Sequence, residues 1–303
     1  MCGGFLLVLC NFSLELYKIH KFVKLGIEIV YPFVYNVRIA VLCTQTVTRG
    51  RHTAFPKGVL TTMYSVNAIR NVCLLGHSGS GKTALAESLL YMTGAIDRMG
   101  KNADGNTVCD YDPEEIRRNI SISTAVVPLE YKNTKINLLD TPGAFDFSGA
   151  VMEALRAADA AILVCSAKDG ITVGFEKAWK YCEERNMPRF VYISKVDEDN
   201  SDYNATFEAL REKYGNKIAP VVVPIWDASK KVTGIIDVLN KRAYEMQNLK
   251  RVEISVPADK AAVIEEFNDA LKEAVAETDE ALMDRFFEGD DFTYAEMLNG
   301  LHT

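Results

Sequence analysis

The chain of 303 residues has no CxxC pair. Its seven cysteines, Cys2, Cys10, Cys43, Cys73, Cys109, Cys165 and Cys182, are scattered, and several sit in apolar, strand-like runs. This excludes a paired-cysteine framework and reads as reduced thiols in a cytoplasmic protein. A secretory or membrane-spanning pattern is lacking too. No basic residue precedes the apolar run 5–10, and the run 26–43 is interrupted by Glu28, Pro32, Asn36 and Arg38, so neither a signal peptide nor an anchor fits. Internal repeats and low-complexity tracts are also missing. Nor is there an excess of positive charge: the net charge is -7. Residues 1–62 hold seven Lys or Arg against two Glu, so the remainder carries 27 basic against 39 acidic residues, or -12. An acidic body of this kind excludes a broad grip on DNA and leaves only local engagement of RNA.

The length suffices for one large domain or two ordinary ones. The basic residues 1–62 form a different population from the rest of the chain. They are expected to stand outside the natural fold, with Met63 as the natural start and the apolar run 71–75 as the first strand. Residues 63–200 then read as the core of a domain, and residues 201–303 as the end of that core plus an insert.

From Met63 onward, strand-like runs fall at 71–75, 122–131, 135–139, 160–165, 190–193 and 220–224. A helix rich in strong helix formers covers 84–92, with Gly94 after its end. Further helical patterns come after the runs at 160–165, 190–193 and 220–224. The alternation predicts an α/β fold with a doubly wound, mostly parallel sheet and helices on both faces. From Ala258 an acidic amphipathic helix is expected, with Val263, Phe267, Leu271 and Val275 at four-residue steps. The stretch 197–204 is linker-like. No closing strand appears before Thr303, so the terminal strand is expected to be missing and one sheet edge to lie open.

Between the first strand and the first helix lies Gly76-His77-Ser78-Gly79-Ser80-Gly81-Lys82-Thr83. The spacing Gly76-x4-Gly81-Lys82-Thr83 is a Walker A pattern, which places the chain among P-loop NTPases. Glycines let the backbone approach phosphate oxygens, the N–H groups of the loop through Ala84 point inward, and the helix N-terminus adds a favourable dipole. Lys82 is suited to bridge the terminal phosphates and the Thr83 hydroxyl to ligate Mg²⁺.

Asp140-Thr141-Pro142-Gly143 ends an apolar strand 58 residues after Lys82. Asp140 is the candidate metal-side acid, and the Gly143 N–H can meet a γ-phosphate. Lys82 and Gly143 are therefore the candidate catalytic groups. Ser194-Lys195-Val196-Asp197 comes after another strand and resembles the NKxD guanine motif of GTPases. Asp197 can accept from guanine N1–H and the exocyclic amine, a pattern adenine does not offer, and the Lys195 stem can cover the base. Ser194 stands where that motif has Asn, so one contact is expected to be shortened or lost. Arg118-Asn119-Ile120-Ser121-Ile122-Ser123 resembles an RGITI switch segment, with Ser121 in the place of the Thr that closes over Mg²⁺.

In this order, the four segments resemble those of elongation factor G and its relatives, the ribosome-bound GTPases. The resemblance runs from Ile69 to about Leu301. It extends to Tyr91-Met92-Thr93-Gly94-Ala95-Ile96, to Asp169-Gly170-Ile171-Thr172-Val173, and to Val232-Thr233-Gly234-Ile235-Ile236-Asp237, which looks like an α+β insert subdomain. It implies a GTP/GDP site with Mg²⁺ held by Thr83, Ser121 and Asp140. It further implies a ribosomal partner, both rRNA and ribosomal proteins, met mostly through domains beyond this chain, and coupling of GTP binding and hydrolysis to translocation or ribosome disassembly.

Three departures from that pattern matter. The usual DTPGHVDF reads Asp140-Thr141-Pro142-Gly143-Ala144-Phe145-Asp146-Phe147, so Ala144 replaces the histidine that positions the attacking water. Gly79 replaces an Asp of the loop, as in elongation-factor-G-like paralogues. The last nucleotide motif, a Ser-Ala segment, does not occur. The alternatives are a module that binds GTP but hydrolyses it poorly, or an inactive gene fragment.

Overall fold

The computed structural model describes residues 6–10, 64–227, 231–247 and 250–302. Of the segment 1–62, only residues 6–10 are among them.

The main sheet has seven strands in the order β3-β4-β2-β5-β6-β1-β7. They are β1 (Leu6–Cys10), β2 (Ile69–Gly76), β3 (Ala125–Tyr131), β4 (Thr134–Asp140), β5 (Ala160–Ser166), β6 (Arg189–Ser194) and β7 (Ile218–Pro220). Only β3 runs antiparallel to its neighbour, as the first arm of a hairpin with β4. Every other pair is parallel. The strands β5 and β6 are buried at every position. That is the expected state of a central parallel strand covered on both faces, and it explains why their sequences are continuous apolar runs rather than alternating ones. Strand β3 instead alternates buried and exposed residues, as an edge strand with one wet face does.

Helices α1 (Lys82–Met92), α2 (Pro113–Arg118), α3 (Ser148–Ala157), α4 (Val173–Glu184) and α5 (Tyr203–Tyr214) fill the connections between strands. Phe175 of α4 and Phe190 of β6 are among the largest fully buried side chains. Burial of each contributes roughly 1.5–3 kcal/mol relative to exposure. Trp179 of α4 stacks on Tyr214 at a centroid distance of 3.8 Å, and the Arg189 guanidinium lies 4.4 Å from the Trp179 ring centre.

The sheet departs from the sequence expectations in four places. First, residues 6–10 were expected outside the fold, yet they run between β6 and β7, with Leu6 opposite Arg189 and Ile218 and Cys10 opposite Ile193. Strand β7 forms the edge of the sheet on that side.

Second, the apolar run 220–224 is not one strand. It divides at Val221 between β7 and β8 (Val222–Trp226), which belong to different sheets. Third, the helical pattern expected next is preceded by β9 (Val232–Asp237), β10 (Arg242–Gln247) and β11 (Lys250–Ile254). With β8 they make a four-stranded antiparallel sheet in the order β11-β10-β9-β8. Fourth, α3, absent from the sequence reading, joins β4 to β5.

The acidic helix is α6 (Ala261–Ala276), succeeded by α7 (Glu280–Glu288) and α8 (Tyr294–His302). Its buried stripe contains Ile264, Phe267, Leu271 and Val275, while Val263 is exposed. The Asn268 amide donates to the Val238 carbonyl at 2.9 Å, tying α6 to the end of β9. Among the described residues no helix is long and apolar enough to cross a membrane.

Candidate functional site

Strands β2, β5 and β6 are parallel and end side by side, at Gly76, Ser166 and Ser194. The carboxyl ends of such strands form the crevice in which open α/β sheets bind ligands. The loop from Gly76 to Gly81 turns there. Gly76 has φ +149°, and a Cβ would lie 2.6 Å from the Val164 carbonyl oxygen, so only glycine fits. Gly81, also left-handed, opens α1, whose first N–H groups have no partner within the helix.

Lys82 is buried, and its Nζ donates to the carbonyl oxygens of Gly76 at 3.1 Å and His77 at 2.9 Å. Burial lowers its pKa to about 8, opposed by the nearby carboxylates Asp140 and Asp110. An anion in the loop would offset the same desolvation.

The Thr83 hydroxyl donates to Asp140 Oδ2 at 2.7 Å, and Ser121 Oγ lies 3.4 Å from Thr83 Oγ1. Residues 38 and 57 positions along the chain from Thr83 are thus gathered with it at one point. Asp140 is 1% exposed, and its Oδ1 has no hydrogen-bond partner among the described residues. Burial raises its pKa to about 6, against the Thr83 hydrogen bond and the Lys82 charge. A buried carboxylate with one bare oxygen, next to two hydroxyls, is a hard oxygen donor set. It fits Mg²⁺, which keeps several waters and takes few protein ligands.

Gly143 packs on this loop. A Cβ there would stand 2.5 Å from Ser78 N, 2.6 Å from Lys82 Nζ and 2.7 Å from His77 C. Ser78, Gly79, Gly81, Lys82, Thr83, Ala84, Ser121 and Gly143 share one cavity of about 250 Å³ with Asn102, Asn119 and Ile120.

The second motif lies at the end of β6, two places from β2 in the sheet. The buried Ser194 hydroxyl donates to the Ser80 carbonyl at 2.6 Å and lies 3.3 Å from the Cys165 carbonyl. The end of β6 thus brings this serine directly against the loop. Lys195 adopts a left-handed backbone, and its Nζ stands 4.0 Å from an Asp169 carboxylate oxygen. Asp197 lies in the turn just after it. Ser194, Lys195 and Asp197 do not line the 250 Å³ cavity, and the Ser194–Ser80 hydrogen bond joins the two regions.

Residues 67–286 match the family model of the elongation factor Tu GTP binding domain. The chain belongs to this family. It is 37% identical over 235 residues to an elongation factor G-like protein of Mycobacterium tuberculosis, a match that covers 77% of this chain and 32% of the relative. An elongation factor G-like protein of Thermotoga maritima is 35% identical over 242 residues, covering 79% of this chain and 34% of that one. A crystal structure of ttk003000868 from Thermus thermophilus superposes with a TM-score of 0.72 at 39% identity, over 77% of this chain and 35% of the other. The chain thus spans about a third of the length of the relatives it matches.

This GTP-binding domain uses three buried carboxylates that the sequence reading missed. Glu87 of α1 accepts from Val108 N at 2.5 Å and Gly100 N at 2.9 Å. Asp110 accepts from the Ser121 hydroxyl at 2.7 Å and the Asn102 amide at 2.9 Å. Glu115 accepts from Ile122 N, Ser123 N and Asp112 N at 2.9, 3.0 and 3.2 Å. One signal for them was available: Asp112-Pro113-Glu114-Glu115 is a capping box with proline at the first helical position.

Ser194→Ala is expected to weaken GDP binding by roughly tenfold, since it removes a buried hydrogen bond worth about 1–1.5 kcal/mol and leaves the Ser80 carbonyl unpaired. Ser194→Thr is expected to lose less. Fluorescent-GDP titration of the two variants checks this.

Proposed function

We propose that this chain is the GTP-binding switch module of an elongation-factor-G-like factor, coupling the nucleotide state to a step on the ribosome, translocation or disassembly. The observation that carries the reading is the single cavity in which the P-loop, Gly143 and Ser121 meet beside the Thr83–Asp140 pair. In this reading residues 76–84 cradle the phosphates and Lys82 exchanges its two carbonyl contacts for phosphate oxygens. Gly143 presents its N–H to the γ-phosphate. Ser194, Lys195 and Asp197 form the guanine side, with Asp197 selecting guanine over adenine. Thr83, Ser121 and Asp140 would hold Mg²⁺, which when bound neutralises charge on the phosphates. We place the protein in the cytoplasm. Residues 201–303 are read as the end of the core together with the insert.

Binding and turnover separate at Ala144. A methyl group offers no acceptor or donor to a water molecule, and the neighbouring Phe145 ring lies 5.8 Å from the His77 ring with Lys177 Nζ 4.0 Å from its centre. Intrinsic hydrolysis is therefore slow. The test is single-turnover phosphate release with and without ribosomes. Bound GTP that stays intact alone and is cleaved on ribosomes supports the switch reading. GTP that stays intact in both supports a module that only binds, and fast cleavage without ribosomes contradicts the role given to Ala144.

A further inference from the structure

Strand β1 comes from far along the chain, yet it is paired on both sides. It runs parallel to β6, with Leu6 opposite Arg189 and Cys10 opposite Ile193. It also runs parallel to β7, with Leu6 opposite Ile218 and Val8 opposite Pro220. In the sheet, β6 and β7 are joined through β1. Both neighbours are buried at every position. Buried N–H and C=O groups need partners, and on this side of β6 the partners are those of β1. The run Leu6-Leu7-Val8-Leu9-Cys10 is apolar throughout and contains no proline, the pattern of a parallel strand inside a sheet.

The two neighbours lead to different parts of the molecule. The carboxyl end of β6 carries Ser194, whose hydroxyl donates to the Ser80 carbonyl of the P-loop at 2.6 Å, and then Lys195 and Asp197. Strand β7 passes at Val221 into β8 of the insert sheet. On its far side β6 is held by β5, with Ser166 opposite Ser194. The pairing with β1 stops at Ile193, one residue short of Ser194. We propose that residues 6–10 are a positioning strand: by filling the slot between β6 and β7 they fix the end of β6, so that guanine-nucleotide affinity depends on the slot being occupied. This rests on the reading of Ser194, Lys195 and Asp197 as the guanine side. With the slot empty, β5 alone sets where Ser194 stands. The end of β6 then has more positions open to it, and nucleotide binding must order it again.

Leu7→Pro and Val8→Pro in the full chain test this. Each removes a backbone donor from the middle of a strand that has neighbours on both sides. Val8→Ile keeps a strand former and serves as the control. Amide hydrogen exchange is followed by mass on peptides covering β6 and β7, with β2 as the internal reference. Both proline variants are expected to speed exchange in β6 and β7 by roughly tenfold or more, with β2 changed by less than about threefold. GDP and ADP affinities are measured on the same samples by equilibrium dialysis. The proline variants are expected to bind GDP roughly tenfold more weakly and to lose part of the preference for GDP over ADP, because the phosphate loop is left in place while the guanine side is loosened. A general loss of stability would leave that preference unchanged. Val8→Ile is expected to behave as the unchanged chain in both measurements.

Exchange in β6 and β7 that is the same in both proline variants as in the unchanged chain overturns the positioning strand, since the slot is then not held by residues 6–10. Faster exchange with an unaltered preference for GDP over ADP overturns the coupling to the guanine side. If a proline variant exchanges fast in β2 as well, it has lost its fold, and Val8→Gly, a milder weakening of the same strand, then decides. A several-fold effect on β6 and on the preference supports the positioning strand, and no effect overturns it. An unchanged chain that binds neither GDP nor ADP refutes the proposed function and the guanine coupling with it, whereas binding that is normal there and equal in the proline variants overturns the coupling alone.

Discussion

Gly143→Ala is expected to weaken binding of a GTP analogue by about 100-fold, or ~2.7 kcal/mol, with GDP affected by about tenfold or less. The added Cβ would fall within 2.7 Å of Ser78 N, Lys82 Nζ and His77 C. Two of these are backbone atoms of the P-loop, fixed between β2 and α1, so the segment after Asp140 must move away. The proposed γ-phosphate contact is lost with it, whereas a diphosphate keeps the rest of the loop. Calorimetric titration of both nucleotides checks the difference. Equal losses for the two would mean that the loop itself is distorted and that Gly143 has no separate role at the γ-phosphate.

The second large effect is a gain. Ala144→His is expected to raise the rate of GTP hydrolysis on ribosomes by roughly 10²–10⁴, the range associated with a positioned polar group in proton transfer and water orientation. Ala144 has an extended backbone, φ -78° and ψ 141°, and stands immediately before the short helical turn Phe145–Phe147. A histidine can be accepted there without backbone change. GTP affinity is expected to change by less than threefold, because the substituted position does not line the phosphate cavity. Measured in single turnovers at saturating protein, an unchanged rate would show that hydrolysis is limited elsewhere.

The parts of this site that were legible in the sequence are those whose chemistry is local. Gly76, Gly81, Lys82 and Thr83 lie within eight positions and sit between an apolar run and a helix-forming run. Asp140 and Gly143 close a strand in the same way. The illegible parts depend on distant partners. The hydrogen bond of Ser194 to the loop was not legible because its acceptor, the Ser80 carbonyl, is 114 positions away. Asp110 and Glu115 drew no notice in the sequence because their donors, the Ser121 hydroxyl and Asn102 amide for one and the Ile122, Ser123 and Asp112 N–H groups for the other, are turned toward them only by the folded segment.

The fold shows the same division. Strands β5 and β6 announced themselves as apolar runs, since both faces are covered. The run 220–224 gave no alternation with which to detect that it changes sheets at Val221, where every residue from Ile218 to Val223 is buried. The strand Leu6–Cys10 was visible as an apolar run, but its neighbours Arg189–Ser194 and Ile218–Pro220 lie far along the chain. The insert sheet was flagged only by the resemblance of residues 232–237.

The most direct measurement is calorimetric titration of the purified chain with GDP, a GTP analogue and an ATP analogue, with and without Mg²⁺. Guanine nucleotides are expected to bind with micromolar or better affinity, at least about 100-fold tighter than the ATP analogue, because the Asp197 carboxylate would pair with two donors that adenine lacks. Mg²⁺ is expected to strengthen binding through the Thr83–Asp140 pair. Affinity weaker than millimolar for every nucleotide, or equal affinity for the guanine and adenine forms, would contradict the account.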